Sequence, residues 1–348
     1  MKRNKDHFRG CMLGGAIGDA LGWPVEFMHY DEIVSTYGID GIKDFSFSKN
    51  KPAEITDDTQ MTLFTAEGIL RAKTRGHLKG ICHPPSVGYY AYQRWLYTQG
   101  HSKNEQFDWI YDGYLLQVQE LFHQRAPGNT CLSALVSETQ GTIDRPINNS
   151  KGCGGVMRVA PAGLVYHSKR AFEYATEFAA LTHGHPSGYL AAGTLAYMIA
   201  KIIEGSDLNE ACFAAVNELE KHDGHEECSS LLHKAIFLSK NERDPLVAIP
   251  QLGEGWVAEE ALAISIYCSL VNETDFEKAV IHAVNHDGDS DSTGAITGNI
   301  LGAYLGVSRI PPQWQDAVEL NDVITNVADD LLTGFEDSEE WMKKYPGY

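Results

Sequence analysis

Apolar positions along this chain recur at helical spacing, and no stretch shows the alternation of a half-buried strand. The first periodic segment, 8–21, carries Gly14, Gly15 and Gly18. Glycines there cost helix propensity and suit a place where helices or ligands approach closely. Pro24 then forces a turn, leaving Glu26 beyond it. Residues 38–53 have no period and are expected to form a loop. A second helix starts after Thr56, Asp57, Asp58 and Thr59, where Met61, Leu63, Phe64, Ala66, Ile69 and Leu70 take up the pattern. An aromatic helix is expected over 89–97, a turn at 125–130 (RAPGNT) and a flexible glycine-rich stretch at 148–155 (NNSKGCGG). From 171 onward helix follows helix: 171–181, 189–204, 208–221, 229–238, 258–271, 276–285 and 322–332. With no strand–helix alternation and no internal repeat, the expected fold class is all-α, in one large domain or two modest ones.

Composition narrows the function. At 348 residues, 43% hydrophobic and 22% charged, the chain is long enough to bury a sizeable core. A net charge of −19 with no Lys/Arg run argues against duplex nucleic acid and anionic membranes as partners. A phosphate-bearing ligand stays admissible, since divalent cations or backbone N–H groups can receive it. Seven scattered cysteines with no C-x-x-C indicate reduced thiols and a cytoplasmic protein. The N-terminus imitates a signal peptide, but Asp19 and the glycines interrupt its apolar run, so none is expected. The most apolar stretch, 190–203, is too short to span a bilayer.

The chemistry concentrates in HDGDSDSTG, where Asp287, Asp289 and Asp291 alternate with Ser290, Ser292 and Thr293 just before a helix. Two readings fit: a capping cluster for the helix start, or half of a site for a hard cation. An EF-hand does not fit, because the positions for its glycine and terminal glutamate hold Ser292 and Gly298. The Thr56–Asp57–Asp58–Thr59 run is a second acidic cluster at a helix start. Gly152, Gly154 and Gly155 could form an anion nest, though not a Walker A loop. His222, His225 and Cys228 have zinc-like spacing without a fourth ligand, and His183 and His185 share a turn.

Taken in order, GDALGWPVE (18–26), TDDT (56–59) and GDSDST (288–293) resemble the motifs of the ADP-ribosylglycohydrolase family. GCGGVMRVAPAGL (152–164) and the Thr182–His183 pair add to the resemblance, which spans about 8–305. It implies a single domain over 1–348, a compact orthogonal multi-helix bundle with a binuclear site for two Mg2+ or Mn2+ ions. Carried over by motif, the metal ligands are Thr56, Asp57, Asp58, Asp289, Asp291 and Ser292, the last standing where the family mostly has threonine. Asp287 is expected to stay off the metals. Glu26, Asp58 and Asp291 are the implied acid–base groups, with Asp108 or Asp112 as alternatives. Asn129, Gly152, Gly154, Gly155 and His183 are the implied ligand-binding residues. The implied activity is removal of ADP-ribose from an acceptor, first of all a protein arginine, giving free ADP-ribose. Serine, nucleic-acid and small-molecule acceptors, or a non-catalytic immunity or scaffold protein, are the alternatives. Without the resemblance, a two-metal phosphohydrolase would also fit, and it would enlist His183, His185 or His286 as ligands.

Overall fold

The computed structural model describes residues 1–45 and 52–348, so the centre of the expected 38–53 loop lies outside the described residues. Among the described residues there is no strand, only isolated bridges pairing Ala53 with Val318 and Gly152 with Val257. In chain order the α-helices are α1 (Lys5–Gly22), α2 (Tyr30–Tyr37), α3 (Asp57–Lys79), α4 (Pro84–Thr98), α5 (Asn129–Val136), α6 (Ala160–Val165), α7 (Ser168–Ala180), α8 (Pro186–Glu204), α9 (Leu208–Leu219) and α10 (Glu226–Asn241). They continue as α11 (Pro245–Ala248), α12 (Ala258–Val271), α13 (Phe276–Val284), α14 (Ser290–Leu305), α15 (Pro312–Ala317), α16 (Asn321–Thr333) and α17 (Glu339–Lys344). The all-α expectation holds, and each long helix read from periodicity is present. The helices that periodicity missed, such as α2, α5 and α6, are eight residues or shorter. Two turns give too few repeats for a period to show. No described helix is long and apolar enough to cross a membrane.

The centre of the fold is an antiparallel seam between α1 and α14. A Cβ on Gly10, Gly14 or Gly18 would lie 2.3, 2.4 or 2.0 Å from the carbonyl oxygen of Gly302, Gly298 or Gly294 respectively. No side chain fits there, so the two backbones lie in direct contact. Every residue of α14 from Ser290 to Ala303 is buried, which explains why it has no polar face. The seam brings the start of α14 against the end of α1. Asp19 of α1, itself fully buried, then accepts hydrogen bonds from the backbone N–H of Thr56 (3.0 Å) and of Thr59 (3.1 Å). That ties the start of α3 to the same corner.

The 148–155 stretch is not loose, contrary to its composition. Lys151 forms ion pairs with Glu227 and the buried Glu259, its carbonyl accepts from Ala258 N–H at 2.8 Å, and Cys153 N–H donates to Trp256 O at 3.1 Å. Glycine content measures local freedom; these tethers come from residues about 75 to 110 positions away and leave no local signal.

Candidate active site

Two helix starts converge. Thr56 caps α3, its Oγ1 accepting from Asp58 N–H at 3.3 Å, and Asp289 caps α14, its Oδ1 accepting from Ser292 N–H at 3.4 Å. Both helix starts border one cleft of about 510 Å³. Its lining includes Glu26, Asp57, Asp58, Asn129, Gly152, Gly154, His183, Asp289, Asp291 and Ser292. Five carboxylates from three separate sequence motifs therefore share one cavity. Glu26, Asp289 and Asp291 each offer an oxygen within 4.8 Å of the others.

Two expected site residues stand just behind that lining. Thr56 is wholly buried, with its hydroxyl between Asp58 N–H and the Asp291 carboxyl. Gly155 is buried against Ala179, Gly188 and the His183 ring. The nest expected over the glycine turn is narrower too, because Gly152 N–H already donates to Ser150 Oγ and Cys153 N–H to Trp256 O. Asp287 lies outside the cleft, half-exposed, accepting from Tyr30 N–H at 2.6 Å. Neither Asp108 nor Asp112 lines the cleft; Asp112 pairs with Arg71 at 3.0 Å.

Of the histidines in the alternative ligand set, only His183 lines the cleft, and the group close enough to share an ion, Glu26, Asp289 and Asp291, contains no histidine. His286 Nε2 meets Thr293 Oγ1 at 2.9 Å, and neither His286 nor His185 lines the cleft. The zinc spacing dissolves as well: His222 stacks on Phe172 at 4.4 Å, His225 meets Ser229 Oγ, and the three residues form no ligand group.

The electrostatics of the cleft are those of an anionic cluster wanting cations. Burial, then Asp291, pushes Asp19 up to about 7. Burial, then Asp291, Asp289, Asp57 and Asp19, pushes Glu26 up to about 10. Asp57, Asp58 and Asp291 are likewise raised well above the ordinary carboxylate range, by burial first and then by a neighbouring carboxylate, Asp291 for the first two and Asp289 for the third. Glu26 Oε2 and Asp58 Oδ1 are buried with no hydrogen-bond partner in the protein. Orphaned carboxylate oxygens beside mutually repelling neighbours fit hard divalent cations, and the oxygen-rich donor set suits Mg2+ or Mn2+.

His183 is the opposite case. Burial, then Arg158, lowers its pKa to about 3, so the ring is neutral. Arg158 donates to Thr182 Oγ1 at 2.7 Å, and that hydroxyl lies 2.8 Å from His183 Nδ1. These contacts, with Ala179 O 3.4 Å from the same hydroxyl, hold the ring with Nδ1 toward Thr182. Nε2 is the ring nitrogen near Gly152 and Gly154.

Sequence reading passed over several residues of this site. Asp19 sat inside a quoted motif without a role; the signal was a lone carboxylate within an apolar, glycine-rich helix. Cys153 donates its thiol hydrogen to Asp289 Oδ2 at 2.7 Å. Phe27 and Trp256 stack at the cleft mouth, ring centroids 5.7 Å apart and planes at 21°. Trp256 carried no signal, because only folding places it beside the glycine turn.

The family profile described as ADP-ribosylglycohydrolase matches residues 1–340. The chain belongs to the ADP-ribosylglycohydrolase family. Among the relatives of this glycohydrolase is the ADP-ribosyl-[dinitrogen reductase] glycohydrolase of Rhodospirillum rubrum, 29% identical over 90% of this chain and 91% of that protein. The ADP-ribosylarginine hydrolase Tri1 of Serratia proteamaculans is 26% identical over 94% of this chain and 79% of its own length. The human ADP-ribosylhydrolase ARH3 is 24% identical over 97% and 95%. A solved structure titled ADP-ribosylglycohydrolase-related protein complex superposes with a TM-score of 0.65 at 23% identity, covering 96% of this chain and 99% of that one, and confirms the fold. Membership in this family supports a hydrolase acting on ADP-ribose conjugates.

Proposed function

We propose that this glycohydrolase is a cytoplasmic, single-domain enzyme that releases ADP-ribose from arginine side chains of proteins, using two Mg2+ or Mn2+ ions. The observation that carries the reading is the meeting of Glu26, Asp57, Asp58, Asp289 and Asp291 in one cleft beside His183 and the glycine turn. Asp57, Asp58, Asp289, Asp291 and Ser292 would hold the cations, with Thr56 closing the set from behind. When bound, such cations supply Lewis-acid charge beside the ribose diol and the attacking water.

The chain's own groups do the rest. Cleavage at the anomeric carbon passes through an oxocarbenium-like transition state, so the departing nitrogen needs a proton. Glu26 is the carboxyl that holds it: in the cation-free cleft burial first, and the neighbouring carboxylates second, push it up to about 10. Asp58 or Asp291 takes the proton of the water whose oxygen joins the anomeric carbon. The C–N bond breaks, the guanidine leaves with Glu26's proton, and ADP-ribose is released. His183 Nε2 and the backbone at Gly154 would meet the ribose and diphosphate, with Asn129 lining the same cleft. A neutral imidazole keeps its hydrogen bond without titrating between pH 5 and 8.

The test is release of free ADP-ribose from ADP-ribosyl-arginine protein in Mg2+ or Mn2+. Asp57→Asn is expected to abolish both cation binding and turnover. Release from a serine-linked or nucleic-acid-linked substrate instead would reassign the acceptor. No release from any linkage by metal-loaded protein would show the chain to be non-catalytic.

A further inference from the structure

A second cavity lies far from the acidic cleft, on the same helix. α3 begins at Asp57 in the cleft and carries Arg71 and Arg75 into a separate cavity of about 630 Å³. At 1.5 Å of rise per residue, Arg71 and Arg75 stand roughly 20–27 Å along α3 from Asp57. The remaining wall is mainly apolar and aromatic: Ile81, Tyr90, Trp109 and Tyr348. The rings brace one another edge-on, Tyr90 to Trp109 at 5.1 Å and Trp109 to Tyr348 at 4.8 Å.

The arginines differ. Arg71 is 1% exposed and locked: one guanidinium nitrogen reaches Asp112 and Tyr348 Oη, the other reaches Glu67 at 3.5 Å. Its Nε is buried without a partner. Arg75, one turn on, makes no ion pair among the described residues and faces the Cys82 side of the cavity. In a chain of net charge −19, an arginine left without a carboxylate beside an aromatic wall is conspicuous. A guanidinium there stabilises an anion, and edge-braced rings receive a flat ring.

We propose that this cavity is a second ligand site, for a planar aromatic molecule bearing one anionic group, with the ring against Trp109 and Tyr90 and the anion on Arg75. A volume of about 630 Å³ lies within the usual range for small-molecule sites. The proposal is independent of the hydrolase reading, because no residue of the acidic cleft lines this cavity.

The probe is 8-anilinonaphthalene-1-sulfonate, whose fluorescence rises in an apolar site, compared with its uncharged analogue N-phenyl-1-naphthylamine. The sulfonate is expected to bind the folded protein and to lose about tenfold in affinity in Arg75→Gln, the ordinary worth of a charge-assisted contact. The uncharged analogue is expected to bind more weakly and to ignore that substitution. Trp109→Ala weakens both probes; should it fail to fold, Arg75→Gln, at a partly exposed and unpaired position, still decides. Equal affinity of the sulfonate for wild type and Arg75→Gln overturns the proposal, as does equal binding of the two probes. Indole-3-acetate and adenosine 5′-monophosphate then compete for the site. Displacement by one shows whether the anion is a carboxylate or a phosphate, and displacement by neither overturns the assignment.

Discussion

Removing divalent cations and raising the pH should destabilise this protein in a way ordinary acidic proteins do not share. An unfolded Asp19 carboxyl titrates near 3.8, whereas burial and the neighbouring Asp291 raise the folded group to about 7. Between those values the folded state binds more protons than the unfolded one, so stability falls as pH rises. The loss begins above about pH 4 and is complete for Asp19 once the pH passes about 7. At ~1.4 kcal/mol per pH unit the displacement amounts to about 4 kcal/mol for this one group. Asp57, Asp58, Asp289, Asp291 and Glu26 are shifted the same way and carry the same sign. Cations held by Asp57, Asp58, Asp289 and Asp291 would favour the ionised forms of those four carboxylates and remove their penalty. Thermal unfolding followed by circular dichroism at pH 5 to 8, in EDTA and in excess Mg2+, measures both effects. For a chain of this size the metal-free Tm should fall by roughly 5–10 °C across that range, and Mg2+ should recover most of it at pH 8. Asp19→Asn removes one titrating group and should flatten the metal-free profile, even though it lowers stability overall by disturbing the Thr56 and Thr59 hydrogen bonds. A metal-free Tm that is level or rises from pH 5 to 8, or one that ignores Mg2+ at pH 8, would refute the electrostatic account of the cleft.

The remaining predictions concern the seam and the chemistry. Gly298→Ala places a Cβ 1.9 Å from Gly14 O, so α1 and α14 must part; about 3 kcal/mol of stability should be lost in denaturant titration. Because that seam sets the spacing of the acidic clusters, turnover should fall roughly 100-fold. Glu26→Gln should lower kcat on ADP-ribosyl-arginine by about 10²–10⁴-fold while leaving ADP-ribose affinity nearly unchanged in calorimetry; full activity would remove Glu26 from proton transfer. His183→Ala should raise KM about tenfold, by the same factor at pH 5 and at pH 7, because the ring is already neutral across that range.

The long helices, their apolar spacing and both acidic helix starts were open to reading from the chain alone, because period and capping chemistry are local properties. The motifs at 18–26, 56–59 and 288–293 marked the residues that meet in the cleft, and their order carried the family. Short helices escaped for want of repeats, and the glycine-rich 148–155 stretch was misjudged because Glu227, Trp256 and Glu259 pin it from a distance. Glycines 14 and 18 announced a close approach but not its partner.

What sequence determined, then, was which side chains were available and which helix ends presented them. Tertiary structure decided which of them share a cavity. It set Gly10, Gly14 and Gly18 against Gly302, Gly298 and Gly294, hung the start of α3 on the buried Asp19, and left Asp287 outside. It also buried His183 beside Thr182 and Arg158, which keeps that ring neutral. These outcomes depend on burial and on charges brought together from residues hundreds of positions apart. Field and desolvation follow distance in space, and no local spacing in a chain records that.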